Sequence, residues 1–495
     1  MRGAIRNRNR SHGIAHPARL LPVLAALAIC GLPALATVPN QVVLSPDSPW
    51  LINATTGQGL LMCGAGDPEG FLYRGSRQSD GTRGGSGADQ SQIISALTAA
   101  GANTIYMIGW RGCPAGAGGP CGGDGDSSQM PMTCTGNGST QCNDDSDCSG
   151  AGGTCQVDAD VIAQWRGWFD QMKAASPQIL IYFFFWDDDS AVPANWSEDG
   201  GAPGSVERRY YEGVVNALED YPNLIWVIAE EYPDEFDSSD IVSIAGVIRA
   251  ADDHDHLIGV HQPPTGGPFA FSGTANIEHF AAQYSGPDTA SDTAWHNELR
   301  GEFEAAAAGG YHVVMSEVAH GGIGGGDDYR RNAWAGLSAG VGVLALGWWS
   351  EGVGTSSCNG GACQSPPATT DLEVCGHALE FFDGINPRGL RPDDGRVSGS
   401  TDYVLADPGR RTYVGYTDSY SGSMGLGSIP AGTYVVRWMD TVSGTITTEP
   451  AVAHGGGTFT RSRAGSGTEV VVSVHPSSST EPPQPPQPPE GVAIR

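Results

Sequence analysis

The chain has 495 residues, enough for one large domain and one small one, with a hydrophobic fraction of 39% and a formal net charge of −29. That acidity argues against a nucleic-acid partner, which needs clustered Lys and Arg, and Lys173 is the only lysine. No apolar run beyond the N-terminus is long enough to cross a membrane, so no membrane partner is expected after leader removal.

In chain order, residues 1–36 read as a signal peptide. Arg2, Arg6, Arg8, Arg10 and Arg19 precede an apolar stretch from Leu20 to Ala36, and Ala34-Leu35-Ala36 offers a small-residue cleavage site before Thr37. A transmembrane anchor is the rival reading, but the stretch is short. A lipid anchor at Cys30 is disfavoured by the bulky Ile29. The expected location is therefore secreted, and loss of the five leader arginines brings the remaining chain near −34. An acidic surface suits an exported protein that meets neutral substrates.

Residues 37–69 form an N-terminal lead-in with strand-like pieces such as Gln41-Val42-Val43-Leu44. From 70 to 392, buried apolar strands alternate with amphipathic helices, the pattern of a parallel α/β barrel. The predicted strands are Phe71-Leu72-Tyr73, Thr104 to Ile108, Ile179 to Phe185, Leu224 to Ile228, Leu257 to Val260, Phe280 to Tyr284, Val313 to Met315 and Val341 to Leu346. Their runs are continuously apolar, as burial on both faces requires. Predicted helices cover Gln90 to Ala100, Val161 to Ala174, Val206 to Leu218, Ile241 to Ala250 and Ala294 to Ala308. No GxGxxG turn follows the first strand, which weakens a dinucleotide-binding sheet. The fold class is thus α/β, a (β/α)8 TIM barrel followed by a small antiparallel β-sandwich.

Residues 112–157 interrupt the second βα unit with a segment rich in Gly, Asp and Cys, too long for an ordinary loop. It reads as a disulfide-stapled insertion at the face where βα loops gather. Ten cysteines follow Cys30, an even number that predicts up to five disulfides in an exported chain. Zinc is the rival, but the spacings Cys113-x7-Cys121 and Cys134-x7-Cys142-x5-Cys148-x6-Cys155 lack CxxC knuckles. Asp144, Asp145 and Asp147 do not have EF-hand spacing and read as a solvated acidic loop rather than a calcium site. Residues 393–476 alternate short strands with Gly and Ser turns, as an antiparallel sandwich does. Residues 477–495 are a Pro-rich tail.

Barrel enzymes carry catalytic groups at the C-terminal ends of their strands. The fourth strand runs into Glu230-Glu231 and the seventh into Ser316-Glu317. Cleaving a glycosidic bond needs one carboxylic acid to protonate the leaving oxygen and one carboxylate to attack the anomeric carbon or activate water. Acidic strand ends can also serve as salt-bridge partners; two of them, on strands four and seven, favour chemistry. His261 after strand five is either a substrate or nucleophile partner or a buried structural histidine. Gln283 and Tyr284 after strand six are candidate hydrogen-bonding groups. Arg74 and Arg77 follow strand one and either serve Glu317 or substrate or pair with loop acids such as Asp80. Trp110, Trp186, Trp348 and Trp349 sit at strand ends, where sugar faces could stack on them, although core packing is the default for any one. Asp187-Asp188-Asp189 reads as a solvated charged loop. No metal ligand spacing such as HExxH occurs, and no metal or cofactor is expected.

Several stretches resemble the apiosidase-like glycoside hydrolases. Pro222-Asn223-Leu224-Ile225-Trp226 resembles that family's approach to strand four, and Tyr329 to Gly340 its helix before strand eight. Phe381-Phe382-Asp383-Gly384 and Leu390-Arg391-Pro392-Asp393 resemble the exit from its barrel. Tyr434 to Asp440 with Gly444 resembles a β-domain of the collagen-binding sequence class, a label that does not make collagen a ligand. The resemblance spans about residues 70–475. In the wider group an Asn precedes the acid/base Glu; here Glu230 fills that place. The resemblance therefore implies Glu231 as acid/base, Glu317 as nucleophile and Glu230 as an extra acid. Apiosidase-like members often carry Asp at the catalytic position, and they tend to have a Gly-Asp-Thr turn where this chain has Arg74-Gly75-Ser76-Arg77, so apiose specificity does not carry over. The expected function is a secreted, retaining glycosidase acting on poly- or oligosaccharides. The alternative is a non-catalytic carbohydrate-binding or adhesion protein on a degenerate barrel.

Overall fold

Eight parallel strands close on themselves in chain order. They are β1 (Cys63–Ala65), β2 (Thr104–Ile108), β3 (Leu180–Trp186), β4 (Leu224–Ala229), β5 (Ile258–Gln262), β6 (His279–Tyr284), β7 (His312–Val318) and β8 (Gly342–Ala345), and β8 pairs back to β1. The structure, a computed structural model, describes residues 38–65, 69–85, 90–112, 128–188, 192–262, 268–284, 292–318, 327–345, 369–463, 465 and 467–477. The leader, Asp189, Trp348, Trp349, Cys113, Cys121, Cys358, Cys363 and nearly all of the Pro-rich tail lie outside these residues. Among the described residues, no helix is long and apolar enough to cross a membrane.

Strand side chains alternate between two faces, so each barrel strand feeds two cores. Tyr106, Tyr182, Phe184, Val227, Ala281 and Val314 belong to the inner cluster. Their neighbours Met107, Phe183, Trp226, Ile228, Ala282 and Met315 join the larger cluster shared with the helices. That outer layer comprises α1 (Gln90–Ala100), α2 (Ala159–Ala174), α3 (Val206–Leu218), α4 (Ser238–Ala251), α5 (Asp292–Gly309), α6 (Asp327–Ser338) and α7 (Thr369–Asp383). On α2, Val161, Trp165, Trp168 and Met172 recur at helical spacing and are buried. Asp158 caps this helix by accepting from the backbone N–H groups of Asp160 and Val161. Ser205 caps α3, and an Asp237–Asp240 capping box starts α4.

The first barrel strand differs from expectation. Phe71-Leu72-Tyr73 lies in a 3-10 turn, Glu69–Tyr73, whose Phe71 and Tyr73 rings pack edge-on against Trp168 and Trp165 of α2. The strand itself is the short Cys63–Ala65, ahead of residue 70. Gly64 explains why it carries little apolar signal: a Cβ there would fall 1.9 Å from the Thr104 carbonyl oxygen, so β1 approaches β2 too closely for a side chain.

The insertion after β2 is a small antiparallel sheet of Met132–Cys134, Asn137–Gln141 and Cys155–Val157. Disulfides Cys134–Cys148 and Cys142–Cys155 staple it, and Cys63–Cys375 ties β1 to α7 across 312 residues of sequence. These six cysteines thus pair with one another, as the disulfide reading expected. The acidic run does local structural work: Asp144 and Asp147 form a capping box, and Asp145 accepts from the Cys155 N–H and pairs with Arg209 on α3.

After residue 390, a six-stranded antiparallel sheet faces a three-stranded one, and the two enclose an apolar core that includes Tyr434, Trp438, Phe459 and Val472. The larger sheet contains Tyr403–Asp407, Thr412–Thr417, Gly432–Asp440 and Val470–Pro476. This sandwich is bolted to α5 and α6. Arg330 makes a two-pronged, buried contact with Glu469 at 2.6 Å, Trp334 stacks on Tyr416, and His296 stacks on Tyr403 with ring centres 3.9 Å apart.

At the opposite end from the strand C-termini, β6 and β7 begin with a buried histidine pair. The Nδ1 atoms of His279 and His312 are 2.8 Å apart, so one donates and the other accepts, and the Tyr182 hydroxyl meets His279 Nε2 at 2.6 Å. Burial drives His312 down to about 3 and His279 well below its ordinary value, so both are neutral. Because the folded state resists protonation, this contribution to stability is complete above the unfolded value near 6.5. It is lost as pH falls from there toward 3. The variant His312→Gln keeps an amide beside His279 but takes up no proton. Between pH 7 and pH 5.5 it should lose less stability than wild type, by about 1 kcal/mol in urea unfolding. Equal losses in the two proteins would contradict a buried neutral pair.

Candidate active site

β4 ends at Ala229 and the chain turns abruptly. Glu231 adopts a left-handed conformation, φ 35° and ψ 49°, as it leads into a 3-10 turn at Tyr232–Asp234. A non-glycine residue held there costs on the order of 1 kcal/mol or more, and such strain concentrates at functional sites. Two contacts hold it. The Glu231 backbone N–H donates to His261 Nδ1 at 3.0 Å, and Gln283 Nε2 donates to Glu231 Oε1 at 2.6 Å. The side chain keeps partial access to solvent.

Glu317 is aimed into the barrel mouth by a bulge. Ala281 pairs with Val314 and Ala282 with Met315, but Gln283 pairs with Glu317, leaving Ser316 as an extra residue in β7. The Ser316 hydroxyl donates to the Ala282 carbonyl at 3.1 Å. Without that extra residue, Glu317 would share the outward face of Val313 and Met315. With it, Glu317 shares the inward face of Gln283, which is how a bulge re-aims a side chain. Its side chain is 25% exposed.

His261 stands one residue before the end of β5, on the same inward face, with its ring edge toward Phe184 and Tyr106. It is fully buried, and burial lowers it to about 3, so the ring is neutral. Its Nδ1 accepts the Glu231 N–H, which leaves the proton on Nε2. That Nε2 lies 3.6 Å from Glu317 Oε2.

Glu230 is nearly buried, and one of its carboxylate oxygens, a ring nitrogen of His261 and an oxygen of Glu317 all lie within 4.8 Å of one another. Glu230 also groups within 4.8 Å with Asp187 and Asp188 at the end of β3. Asp187 is not the solvated loop acid expected: it is 1% exposed and pairs with the fully buried Arg111 at 3.0 Å. Arg111, directly after Trp110, went unnoticed in the sequence; an arginine closing an apolar strand was its only signal. Either Glu230 group has oxygen or nitrogen donors to contact a cation.

The structure therefore gathers Glu230, Glu231, His261, Gln283 and Glu317 at one end of the barrel. Among the other described candidates, Trp110, Trp186 and Tyr284 pack into the surrounding layers instead. Trp110 and Trp186 are fully buried, within a cluster that includes Trp196 and Tyr210 at ring-centre distances of 5.1 to 5.6 Å. Trp186 donates to the Tyr211 hydroxyl at 2.7 Å. They are core rather than sugar platforms, because α3 and Trp196 cover them. Tyr284 follows Gln283 and so faces outward, edge-on to Trp295 of α5; burial, and then the bonded Glu302 carboxylate, push its phenol far above the usual range. Arg74 is buried, and its carbonyl accepts from Gln90 at the start of α1. Arg77 reaches the Ser139 carbonyl of the insertion.

No family model matches the chain, and no curated protein matches it. Solved structures do. One described as a glycoside hydrolase superposes with a TM-score of 0.60 at 15% identity, over 89% of this chain and 99% of that one. A glycoside hydrolase of family 5 from Bacteroides vulgatus ATCC 8482 superposes with a TM-score of 0.61 at 15% identity, over 89% of this chain and 95% of its own. What is shared at this identity is the fold: a (β/α)8 barrel of the kind found in glycoside hydrolases, with antiparallel sheets after it.

Proposed function

We propose that the protein is a secreted retaining glycosidase acting on poly- or oligosaccharides, with Glu317 as nucleophile and Glu231 as acid/base. The observation that carries this reading is the convergence of carboxylates from β4 and β7 at one barrel mouth, fixed by Gln283 and His261. In the first step a Glu317 oxygen attacks the anomeric carbon, the bond to the leaving group breaks, and the Glu231 proton passes to the departing oxygen. In the second, the Glu231 carboxylate takes a proton from water, the water oxygen attacks the same carbon, and the ester to Glu317 breaks. Retention needs the two carboxyl groups about 5–5.5 Å apart. Gln283 links the two strands that would carry this pair, since it donates to Glu231 and pairs in register with Glu317.

Glu231 is favoured over Glu230 as the acid because it reaches solvent, where a leaving group must sit. The resemblance to apiosidase-like hydrolases points the same way. Export is supported by the leader pattern and by three disulfides, which persist in oxidising compartments. The test is release of product from a panel of aryl glycosides and plant glycans by the purified protein. Saccharide binding without turnover on every member would favour the non-catalytic carbohydrate-binding alternative.

A further inference from the structure

We propose that His261 is a positioning residue for the nucleophile: its Nε2–H holds the Glu317 carboxylate ionised and oriented, and the strained Glu231 backbone keeps that proton on Nε2. This rests on the glycosidase reading above. The geometry has three parts. Nδ1 is occupied by the Glu231 N–H at 3.0 Å, so it cannot carry the proton. Nε2 is buried without a hydrogen-bond partner and is aimed into the mouth, 3.6 Å from Glu317 Oε2. Closing that gap by about half an ångström makes a normal N–H···O bond. The ring cannot swing away, because Phe184 and Tyr106 stand edge-on against it.

The charged or titratable groups facing His261 are Glu317 from β7, Glu230 and Glu231 from the end of β4, and Tyr106 from β2. Asp187 and Asp188 from β3 stand behind Glu230. In this acidic company, a neutral imidazole that always donates does what an imidazolium would do only part of the time. Burial keeps it neutral through the acid range. One ring thus ties the acid/base loop to the nucleophile strand, so that substrate meets both carboxylates already spaced.

The experiment compares wild type with His261→Met, which fills similar volume without a donor, and His261→Gln, whose amide can donate near the Nε2 position. The acid limb of kcat/KM reports ionisation of the nucleophile in the free enzyme. Losing the donor disfavours the carboxylate form, so in His261→Met the limb should move up by about one pH unit. The same variant should lose about 100-fold in kcat/KM. His261→Gln should recover part of both. A folded His261→Met with an unmoved acid limb overturns the proposal. If His261→Met does not fold, a folded His261→Gln decides: a limb within about half a unit of wild type supports the donor role, and a full shift of about one unit overturns it. A second readout needs no activity: nitrogen-15 NMR of the imidazoles should show a neutral Nε2–H tautomer from pH 7 to pH 5, identified by its loss in the variants. A neutral Nδ1–H form or an imidazolium in that range also overturns it. A wild type that cleaves no glycoside, yet shows the Nε2–H tautomer, would instead sink the glycosidase reading.

Discussion

Glu317→Gln is expected to abolish hydrolysis, with a fall in kcat on the order of 10^5-fold, while the protein stays folded. The amide fills the same space and can still meet His261, but it cannot form the ester that divides the reaction into two steps. The bulge at Ser316 predicts that the fold tolerates it: Glu317 faces the mouth, is partly exposed, and is not part of the inner or outer core. Unchanged thermal unfolding alongside lost turnover on every active substrate meets the expectation. Turnover like that of wild type contradicts the nucleophile assignment.

The second expected result separates the adjacent acids. Glu231→Ala should lose about 10^2- to 10^4-fold in kcat/KM on substrates with poor leaving groups, and far less in kcat/KM on aryl glycosides whose leaving group needs no proton, while kcat falls on both because the second step lacks its base. Azide should restore turnover in this variant by entering the vacated space and attacking the glycosyl-enzyme. Glu230→Gln should stay within about ten-fold of wild type. Glu230 groups with Glu317 in one cluster and with Asp187 and Asp188 in another, and an amide of the same shape relieves its repulsion with each. The wider group that the sequence resembles uses an amide side chain at this position. If leaving-group dependence and azide rescue follow Glu230→Gln instead, the acid is Glu230.

Much of the barrel was legible because its signals are local. Gln90 to Ala100 and Val206 to Leu218 match their helices end to end, since apolar spacing and, for α3, the Ser205 cap mark them. Seven of the eight strands lie where continuous apolar runs predicted them. The exception, β1, is three residues long with Gly64 at its centre, and a nearby Phe-Leu-Tyr run offered a stronger apolar signal for a turn.

The site was legible in its residues but not in its orientations. Strand parity would have assigned Gln283 inward and Tyr284 outward. Parity alone would have turned Glu317 outward as well, because the one-residue insertion at Ser316 depends on pairing with β6 and leaves no mark in composition. Trp110 and Trp186 occupy strand ends where exposed aromatics are also found; their burial depends on Trp196 and on Tyr210 of α3, which no local pattern announces. The Arg111–Asp187 pair joins residues 76 apart and was invisible for the same reason.

The most direct measurement is the anomeric configuration of the first product, followed by proton NMR during hydrolysis of an active aryl glycoside, before mutarotation. A double displacement at Glu317 predicts a sugar released first with the same configuration as the substrate. Release of the opposite anomer would mean a single displacement by water, and would contradict Glu317 as a nucleophile.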